Sequence, residues 1–225
     1  ENAFIQFINK TPPIGKSLIC IDNKNIKRIL KKIKNKNILT YGFNKKSNYR
    51  ISNARYSTTH SLFDLHYKNS DNTKTIIKNI NLKLIGEHNV LNASAAVAVC
   101  INLGVKTDII KKALKNFSGV QRRMTKIFMK NKNEFFDDYA HHPTEISSIL
   151  DGVNKVYNKR KIITVFEPHR YSRVMSLKQA FSKSFIKSNL VLICPIYAAG
   201  EKKNSNFNLM NFAKLISKNS KTQTV

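Results

Sequence analysis

The sequence contains no tryptophan, only three cysteines, and no apolar run of the length that a membrane requires. A transmembrane helix needs about 18 or more consecutive apolar residues, whereas the most apolar stretch, residues 93–101, is short and includes Ser94. No charged segment followed by an apolar one opens the chain, which disfavours a secretory leader. The hydrophobic content of 41% is instead typical of an ordinary soluble core.

The three cysteines are too scattered to act together. Cys20, Cys100 and Cys194 lie far apart, and the chain has no C-x-x-C pair. An odd number at such spacing favours neither a disulfide framework nor a zinc site. Each lies among apolar neighbours, as a buried thiol does, so we expect the reducing environment of the cytoplasm.

A complete phosphate-binding loop is also missing. Gly15-Lys16-Ser17 has the ending of the pattern G-x-x-x-x-G-K-[ST], but Lys10 occupies the position of its first glycine. The pattern lies between a strand and a helix in proteins that use it, whereas here a strand is expected to follow. We interpret these residues as a turn into that strand.

Acidic residues are scarce: 13 Asp and Glu stand against 40 Lys and Arg, which gives a net charge of +27. Such a charge favours polyanions, so a non-catalytic basic protein that associates with nucleic acid is one interpretation. The lysines, however, are spread from Lys10 to Lys221 among asparagine and isoleucine, without aromatic residues spaced for base stacking. A/T-rich codons favour lysine, asparagine and isoleucine, so drift in codon usage explains the composition without such a partner.

The pattern of apolar residues changes near Gly119, which predicts two regions. In the first, we predict helices at 2–9, 25–33, 91–103 and 107–117 and strands at 17–21, 38–43, 49–57, 60–67 and 75–84. From about Val120 the expected elements are 134–138, 143–157, 161–166, 177–187, 190–194 and 208–217. Their alternation of strand and helix predicts a parallel sheet covered by helices, and no strand is expected after the last helix.

Polar residues at the start of the helix of small residues form a first candidate site. His88, Asn89 and Asn92 lie where free backbone N–H groups and a positive helix dipole favour an anionic or polar ligand. Asn89 could equally be the N-cap of that helix, so both interpretations stay open.

The loop 137–145 is the richest in chemistry. It combines two carboxylates, a phenol and two imidazoles in Asp137, Asp138, Tyr139, His141 and His142. We expect it at the carboxyl end of a strand, where ligands of α/β sheets bind, with Glu145 capping the helix that follows. A second cluster of histidine and aspartate at ligand spacing is lacking, so no metal site is expected.

The next strand end contributes a pair of arginines. Arg170 and Arg173 lie three residues apart at a predicted helix start, a spacing that lets both guanidinium groups face one carboxylate or phosphate. A further loop, 195–201, follows the next predicted strand. Three strand ends therefore bring polar residues to one edge of a sheet, where we expect an anionic ligand.

Five motifs occur in a fixed order. They are Gly-x-His-Asn-x-x-Asn ending at Asn92, Gly-Val-x-Arg-Arg ending at Arg123, Asp-Asp-Tyr-Ala-His-His-Pro-Thr-Glu ending at Glu145, Pro-His-Arg-Tyr-Ser-Arg ending at Arg173 and Ile-Tyr-x-Ala-Gly-Glu ending at Glu201. In order and spacing they resemble the Mur ligase family, and most closely its alanine-adding branch. The resemblance covers essentially the whole chain.

The resemblance implies an α/β fold. Residues 1–119 would form the end of a central ATP-binding domain, and residues 120–225 an incomplete Rossmann-like domain that binds the amino acid. The implied activity is the cytoplasmic, ATP-dependent ligation of L-alanine to UDP-N-acetylmuramate in peptidoglycan synthesis, with Mg²⁺ bridging the transferring phosphates. No membrane and no specific nucleic acid is implied as a partner.

The same resemblance implies roles for residues of the motifs. Arg123 would act near the transferred phosphate as the catalytic residue. The contacts to ATP would be made by His88, Asn89, Asn92 and Asp138. L-alanine would be held by Tyr139, His141, His169, Arg170 and Arg173, with the two arginines on its carboxylate.

The chain also departs from the family pattern. We expect the family's UDP-binding domain, its phosphate-binding loop and its Mg²⁺ ligands before Glu1, so these 225 residues should be inactive alone. A closing strand of the second domain is likewise expected beyond them. Met124 follows Arg123 where an aromatic residue would be expected.

If codon drift explains the charge, the chain should bind DNA weakly, without sequence preference, and with a Kd no tighter than about 10⁻⁶ M at physiological salt. The affinity should fall steeply with added salt, because release of counterions drives such binding. Fluorescence anisotropy with two unrelated duplexes over a salt series measures both properties. A sequence-selective complex that survives physiological salt would overturn the drift interpretation.

Overall fold

The computed structural model describes all 225 residues, which form two compact units, Glu1–Ser118 and Gly119–Val225. Each unit buries a hydrophobic cluster of its own. None of the helices has both the length and the apolar character needed to cross a membrane.

The first unit is a mixed sheet with helices packed on it. Its elements are α1 (Asn2–Asn9), β1 (Ser17–Cys20), α2 (Lys24–Leu30), β2 (Ile38–Gly42), β3 (Tyr49–Tyr56), β4 (Ser61–Lys68), β5 (Lys74–Leu82), α3 (Glu87–Asn102) and α4 (Thr107–Asn116). The strands lie side by side in chain order. Strands β1, β2 and β3 are parallel, whereas β3, β4 and β5 are antiparallel.

The core of this unit lies between the sheet and α3. Phe63 and Leu65 of β4 alternate with polar or half-buried neighbours, so one face of the strand is buried. On the helix, Val97 and Ala98 are buried as well. The small side chains of α3 let the helix backbone approach the sheet closely, which places its first turn at the edge where β5 ends.

The second unit has a parallel sheet and a separate hairpin. Its elements are β6 (Thr125–Lys130), β7 (Asn133–Asp137), α5 (Pro143–Val156), β8 (Ile163–Phe166), α6 (Tyr171–Ser176), α7 (Lys178–Ser182), β9 (Leu190–Ile193), α8 (Leu209–Ser220) and β10 (Gln223–Thr224). Strands β8, β9 and β10 form the sheet in the order β10-β9-β8, all parallel. Strands β6 and β7 pair only with each other.

An aromatic core supports the parallel sheet. Phe181, Phe185 and Phe212 are fully buried against Phe166 at the end of β8. Burial of one such ring contributes about 1.5–3 kcal/mol. Because β8 and β9 are parallel, the loops that follow them leave from the same edge of the sheet, and the buried rings fix that edge.

The parallel pairing expected in the second region is confirmed for β8 and β9, but the strand expected at 134–138 does not join them. It is β7, which pairs with β6, a strand that the sequence pattern did not indicate. The hairpin turn explains the miss. Asn131 and Lys132 both have positive φ, 48° and 66°, as a type I′ turn requires, yet the pair lacks the glycine that usually signals such a turn.

Three other boundaries differ from expectation. The helix expected at 177–187 is shorter in the structure, where α7 ends at Ser182, and an additional helix, α6, precedes it and is separated from it at Leu177. Helix α3 begins at Glu87, one turn before the expected Leu91. After α8 the chain forms β10 against β9, although no strand is expected there from its polar sequence.

Two adjacent isoleucines on β5 allow the effect of core burial on stability to be distinguished from the effect of strand propensity. Ile77 is 4% exposed, whereas Ile76 is 46% exposed on the other face. Ile77→Ala should lower the free energy of unfolding by about 2–5 kcal/mol, because it removes buried methyl groups and leaves a cavity. Ile76→Ala should cost less than about 1 kcal/mol. Urea unfolding of the two variants measures the difference, and equal losses would contradict the assigned register.

Candidate functional site

The loop between β7 and α5 is fixed by a capping box. His142 is the N-cap of α5, and its Nδ1 accepts an N–H bond from Thr144 at 3.3 Å. The carboxylate of Glu145 accepts N–H bonds from His141 and His142, at 3.1 and 3.3 Å. Pro143 takes the first helical position, where no N–H is needed. The expectation that Glu145 caps the helix is therefore confirmed.

The same contacts make Glu145 more acidic. Burial alone would raise its pKa, but the N–H bonds from His141 and His142 and the positive charges of His141 and Arg123 outweigh burial and hold the pKa below its usual value. Glu145 is therefore ionised at neutral pH and acts as a pure acceptor.

His141 has a defined tautomer in its neutral form. Its Nδ1 lies 2.8 Å from the carbonyl oxygen of Tyr139. A carbonyl can only accept, so Nδ1 carries the proton and Nε2 is left as an acceptor. The ring therefore offers a lone pair suited to an ammonium or hydroxyl group.

The carboxylate of Asp138 joins two loops. Its Oδ2 accepts the N–H of Met124 at 2.8 Å, and its Oδ1 accepts the N–H of Ala140 at 2.7 Å. The N–H of Tyr139 also donates to the carbonyl of Arg122 at 2.8 Å. These bonds tie the segment before β6, which carries the exposed Arg123, to the loop after β7.

The segment 122–124 needs that support. Arg122 and Met124 have φ values of 58° and 50°, a left-handed conformation that residues other than glycine seldom adopt. The Arg122 guanidinium lies 4.9 Å from the centre of the Tyr139 ring and 3.3 Å from Asp137. Arg123 therefore projects from a backbone held on both sides by the loop that carries Asp138.

Four rings from three loops lie together, and we refer to them as the ring cluster: Tyr139, His141, His169 and Tyr197. The His169 ring centre lies 6.1 Å from that of Tyr139, 6.2 Å from that of His141 and 5.1 Å from that of Tyr197. Tyr139 and Tyr197 are 41% and 55% exposed, so the cluster opens to solvent. The expectation that the strand-end loops meet is confirmed for these side chains, although β7 belongs to a different sheet.

Backbone hydrogen bonds join the loop after β9, which contains Tyr197, to the loop after β8, which contains His169. The N–H of Tyr197 donates to the carbonyl of Pro168, and the N–H of Arg170 donates to the carbonyl of Tyr197, both at 2.9 Å. The pair His169 and Tyr197 thus forms an isolated parallel bridge beyond the ends of β8 and β9. Sequence reasoning named no role for Tyr197; its place in a strand-end loop was the available signal.

The arginine pair lies at the start of α6. Arg170 precedes the helix with φ 67° and ψ 123°, and Arg173 lies in its first turn. A non-glycine residue in such a conformation costs on the order of 1–3 kcal/mol, so the surrounding contacts must hold it. On the same loop, Nε2 of His169 lies 3.2 Å from a carboxylate oxygen of Glu167.

The candidates at α3 lie in the first unit. Gly86, with φ 99°, is the N-cap of α3, so the interpretation of Asn89 as the cap is wrong. The Asn89 side-chain amide instead donates to the carbonyl of Ile85 at 2.8 Å. His88 is half-buried, and Asn92, one turn on, is exposed. Asn92 is thus the most accessible of the three polar candidates.

A metal ion finds no ready site in this chain. The structure brings no three side chains of histidine, cysteine, aspartate or glutamate into positions where they could hold one. The ring cluster and the arginines are instead suited to an organic ligand with an anionic group.

Two family models match the chain in succession: the Mur ligase middle domain at residues 1–100, and the Mur ligase, glutamate ligase domain at residues 122–216. The UDP-N-acetylmuramate–L-alanine ligase of Pelagibacter ubique is 50% identical over 223 residues, which cover 99% of this chain and 48% of that protein. The enzyme of that name in Agrobacterium fabrum is 39% identical, over 88% of this chain and 42% of that protein.

Among solved structures, the UDP-N-acetylmuramate-alanine ligase of Thermotoga maritima superposes with a TM-score of 0.61 at 27% identity. The match covers 83% of this chain and 38% of that one. The chain therefore spans about half the length of the curated relatives it matches.

The stability of the second unit should depend on pH through Glu145. Its pKa is lower when folded than when unfolded, so its stabilising contribution is present above the unfolded pKa and is lost as the pH falls through the folded pKa. Glu145→Ala should lower the free energy of unfolding at pH 7 by about 1 kcal/mol. Glu145→Gln should lose less, because the amide oxygen still accepts, and should remove the part of the pH dependence that Glu145 contributes.

Urea unfolding of the second unit, measured between neutral pH and about pH 3, tests the role of Glu145. Asp151→Asn is the matched control, since Asp151 is exposed on the same helix and should leave the profile unchanged. A Glu145→Gln profile parallel to the wild-type one would rule out the role assigned to the capping box.

Proposed function

Because the chain belongs to the Mur ligase family, we propose that its protein joins L-alanine to UDP-N-acetylmuramate in an ATP-dependent reaction, in the cytoplasm and for peptidoglycan synthesis. Relatives that carry this name are 50% and 39% identical to the chain. The observation that carries the proposal is the ring cluster beside the arginine pair at one loop edge of the second unit.

The second unit, in this proposal, binds the amino acid. L-alanine has a carboxylate, an ammonium group and one methyl group, and each has a suitable counterpart. Arg170 and Arg173 supply paired guanidinium groups for the carboxylate. The lone pair on Nε2 of His141 can accept from the nitrogen of the amino acid. Tyr139 and His169 provide ring surface for a small apolar side chain.

Amide formation requires the amino group to attack an activated carboxyl. The amino group gives up one proton to solvent before it attacks. Its nitrogen forms a bond to the lactyl carbonyl carbon of UDP-N-acetylmuramate, the carbon–oxygen bond to a phosphate leaving group breaks, and the nitrogen loses a second proton to solvent. ATP, when bound, supplies the phosphoryl group that creates this leaving group. Arg123 would stabilise its negative charge, which fits an exposed guanidinium on a segment held by Asp138.

Contacts to ATP are expected in each unit taken by itself. His88, Asn89 and Asn92 are the expected contacts, and the exposed amide of Asn92 suits a neutral polar group such as adenine. Both oxygens of Asp138 accept backbone N–H bonds, and each retains a lone pair that a ribose hydroxyl could use. The ligands of Mg²⁺ are expected in segments that relatives carry outside the matched half.

The kinetic experiments use a completed enzyme. It joins these 225 residues to the segments of the Pelagibacter ubique protein that lie outside the matched part. Arg170→Ala should reduce kcat/KM for L-alanine by roughly tenfold to a hundredfold or more, because it removes a charge-assisted bond of about 1.5–3 kcal/mol. The KM values for ATP and UDP-N-acetylmuramate should change far less. Arg170→Lys should recover only part of the loss, since an ammonium cannot reproduce the planar fork.

Steady-state kinetics with each substrate varied in turn measures these effects. Arg173→Ala should behave similarly, and the double variant should lose less than the sum of the single losses if both arginines hold one carboxylate. Lys159→Ala removes an exposed charge of the same unit and serves as the control. If kcat/KM for L-alanine stays within about twofold in Arg170→Ala, the assignment of the carboxylate site is wrong.

A further inference from the structure

Glu201, the last residue of the loop from Ile196, has no part in the proposed function, although its motif is among those that characterise the chain. Its side chain makes two specific contacts. One carboxylate oxygen of Glu201 accepts the Ser172 hydroxyl at 2.5 Å, and the other accepts the Ser172 backbone N–H at 3.0 Å. Ser172 lies between Arg170 and Arg173, so Glu201 binds the segment that carries both arginines.

We propose that Glu201 is a positioning residue for L-alanine, which sets the orientation of Arg170 and Arg173 through Ser172 without touching the substrate. The inference rests on the proposed function, in which these two arginines hold the carboxylate. Neither the family match nor the ring cluster assigns a role to Glu201.

The start of α6 has few supports of its own. The helix has six residues, and isolated helices of that length are not stable in water. Arg170 has a positive φ, and only Val174 within the helix is fully buried. The orientation of the first turn therefore depends on contacts from outside, and Glu201 and Tyr197 provide them from the same loop.

The ionisation of Glu201 suits this role. The hydrogen bonds from the Ser172 hydroxyl and N–H, together with the positive charge of Arg170, hold the pKa of Glu201 below its usual value. The carboxylate is thus a pure acceptor at neutral pH and matches two donors on one residue. Because these bonds lie near the surface and compete with water, we expect a moderate effect and not a complete loss.

The test is a double-mutant cycle in the completed enzyme. Glu201→Ala should raise the KM for L-alanine about tenfold, with the KM for ATP unchanged, because the arginine pair loses its alignment. Glu201→Gln should lie between this variant and wild type, since its amide can still accept one of the two bonds. Ser172→Ala should have a smaller effect than Glu201→Ala because the backbone N–H remains. The double variant should resemble Glu201→Ala alone.

A second measurement does not depend on turnover. Hydrogen exchange of the peptide spanning residues 170–176 should become faster in Glu201→Ala and stay unchanged in Asp151→Asn, an exposed control with the same change of charge. Unchanged exchange together with an unchanged KM would overturn the proposal. Effects of Glu201→Ala and Ser172→Ala that simply add would also overturn it, because they would mean that Glu201 acts on the substrate directly. A lower KM in Glu201→Gln would mean that the carboxylate competes for Arg170.

Failure of the proposed function gives a different pattern. If the completed enzyme does not ligate L-alanine at all, the KM measurements contradict the proposed function and give no information on Glu201. The exchange measurement still decides whether Glu201 holds the start of α6, and unchanged exchange would then refute the positioning role by itself.

Discussion

The backbone bridge between His169 and Tyr197 is the constraint on which the site of the second unit depends. It continues the parallel pairing of β8 and β9 past the ends of both strands. The loops that follow these strands therefore remain paired where they leave the sheet. The bridge places two of the four rings side by side and holds the backbone of Arg170, whose φ is unfavourable. Below it, the buried rings around Phe166 keep the sheet edge rigid. A core that is apolar and tightly packed thus supports a polar candidate site built from loops and the first turn of α6.

The few carboxylates of this basic chain are used to shape those loops. Asp138 joins the segment of Arg123 to the loop of Tyr139, Glu145 caps α5, and Glu201 holds the start of α6. Each accepts backbone N–H bonds, and the pKa values of Glu145 and Glu201 are lowered by their contacts. The chain has only 13 acidic residues against 40 basic ones. These three carboxylates therefore stabilise the backbone of the loops at the strand ends. The segments that carry Arg123 and Arg170 are thus held by contacts of Asp138 and Glu201.

Much of this arrangement could be predicted from the sequence. Periodicity located all the strands except β6 and β10, and most helices, and the positions of Pro143 and Glu145 indicated the cap of α5. Tertiary contacts decided the rest. The β6–β7 hairpin turns on Asn131 and Lys132 without a glycine, and β10 is a polar segment that is a strand only because β9 lies beside it. The contribution of Tyr197 follows from a bridge between residues 28 positions apart, which no local pattern encodes.

We propose that the ring cluster and the arginine pair select a small amino acid for ligation. The most direct measurement offers the completed enzyme ATP, UDP-N-acetylmuramate and an equimolar mixture of L-alanine, glycine, L-serine and D-glutamate, and identifies the ligated products by mass spectrometry. We expect UDP-N-acetylmuramoyl-L-alanine to be the main product and the D-glutamate adduct to be absent, because the cluster provides ring surface for a methyl group and the arginine pair is already engaged by the α-carboxylate. A mixture without ligated product, or one dominated by the D-glutamate adduct, would contradict the account.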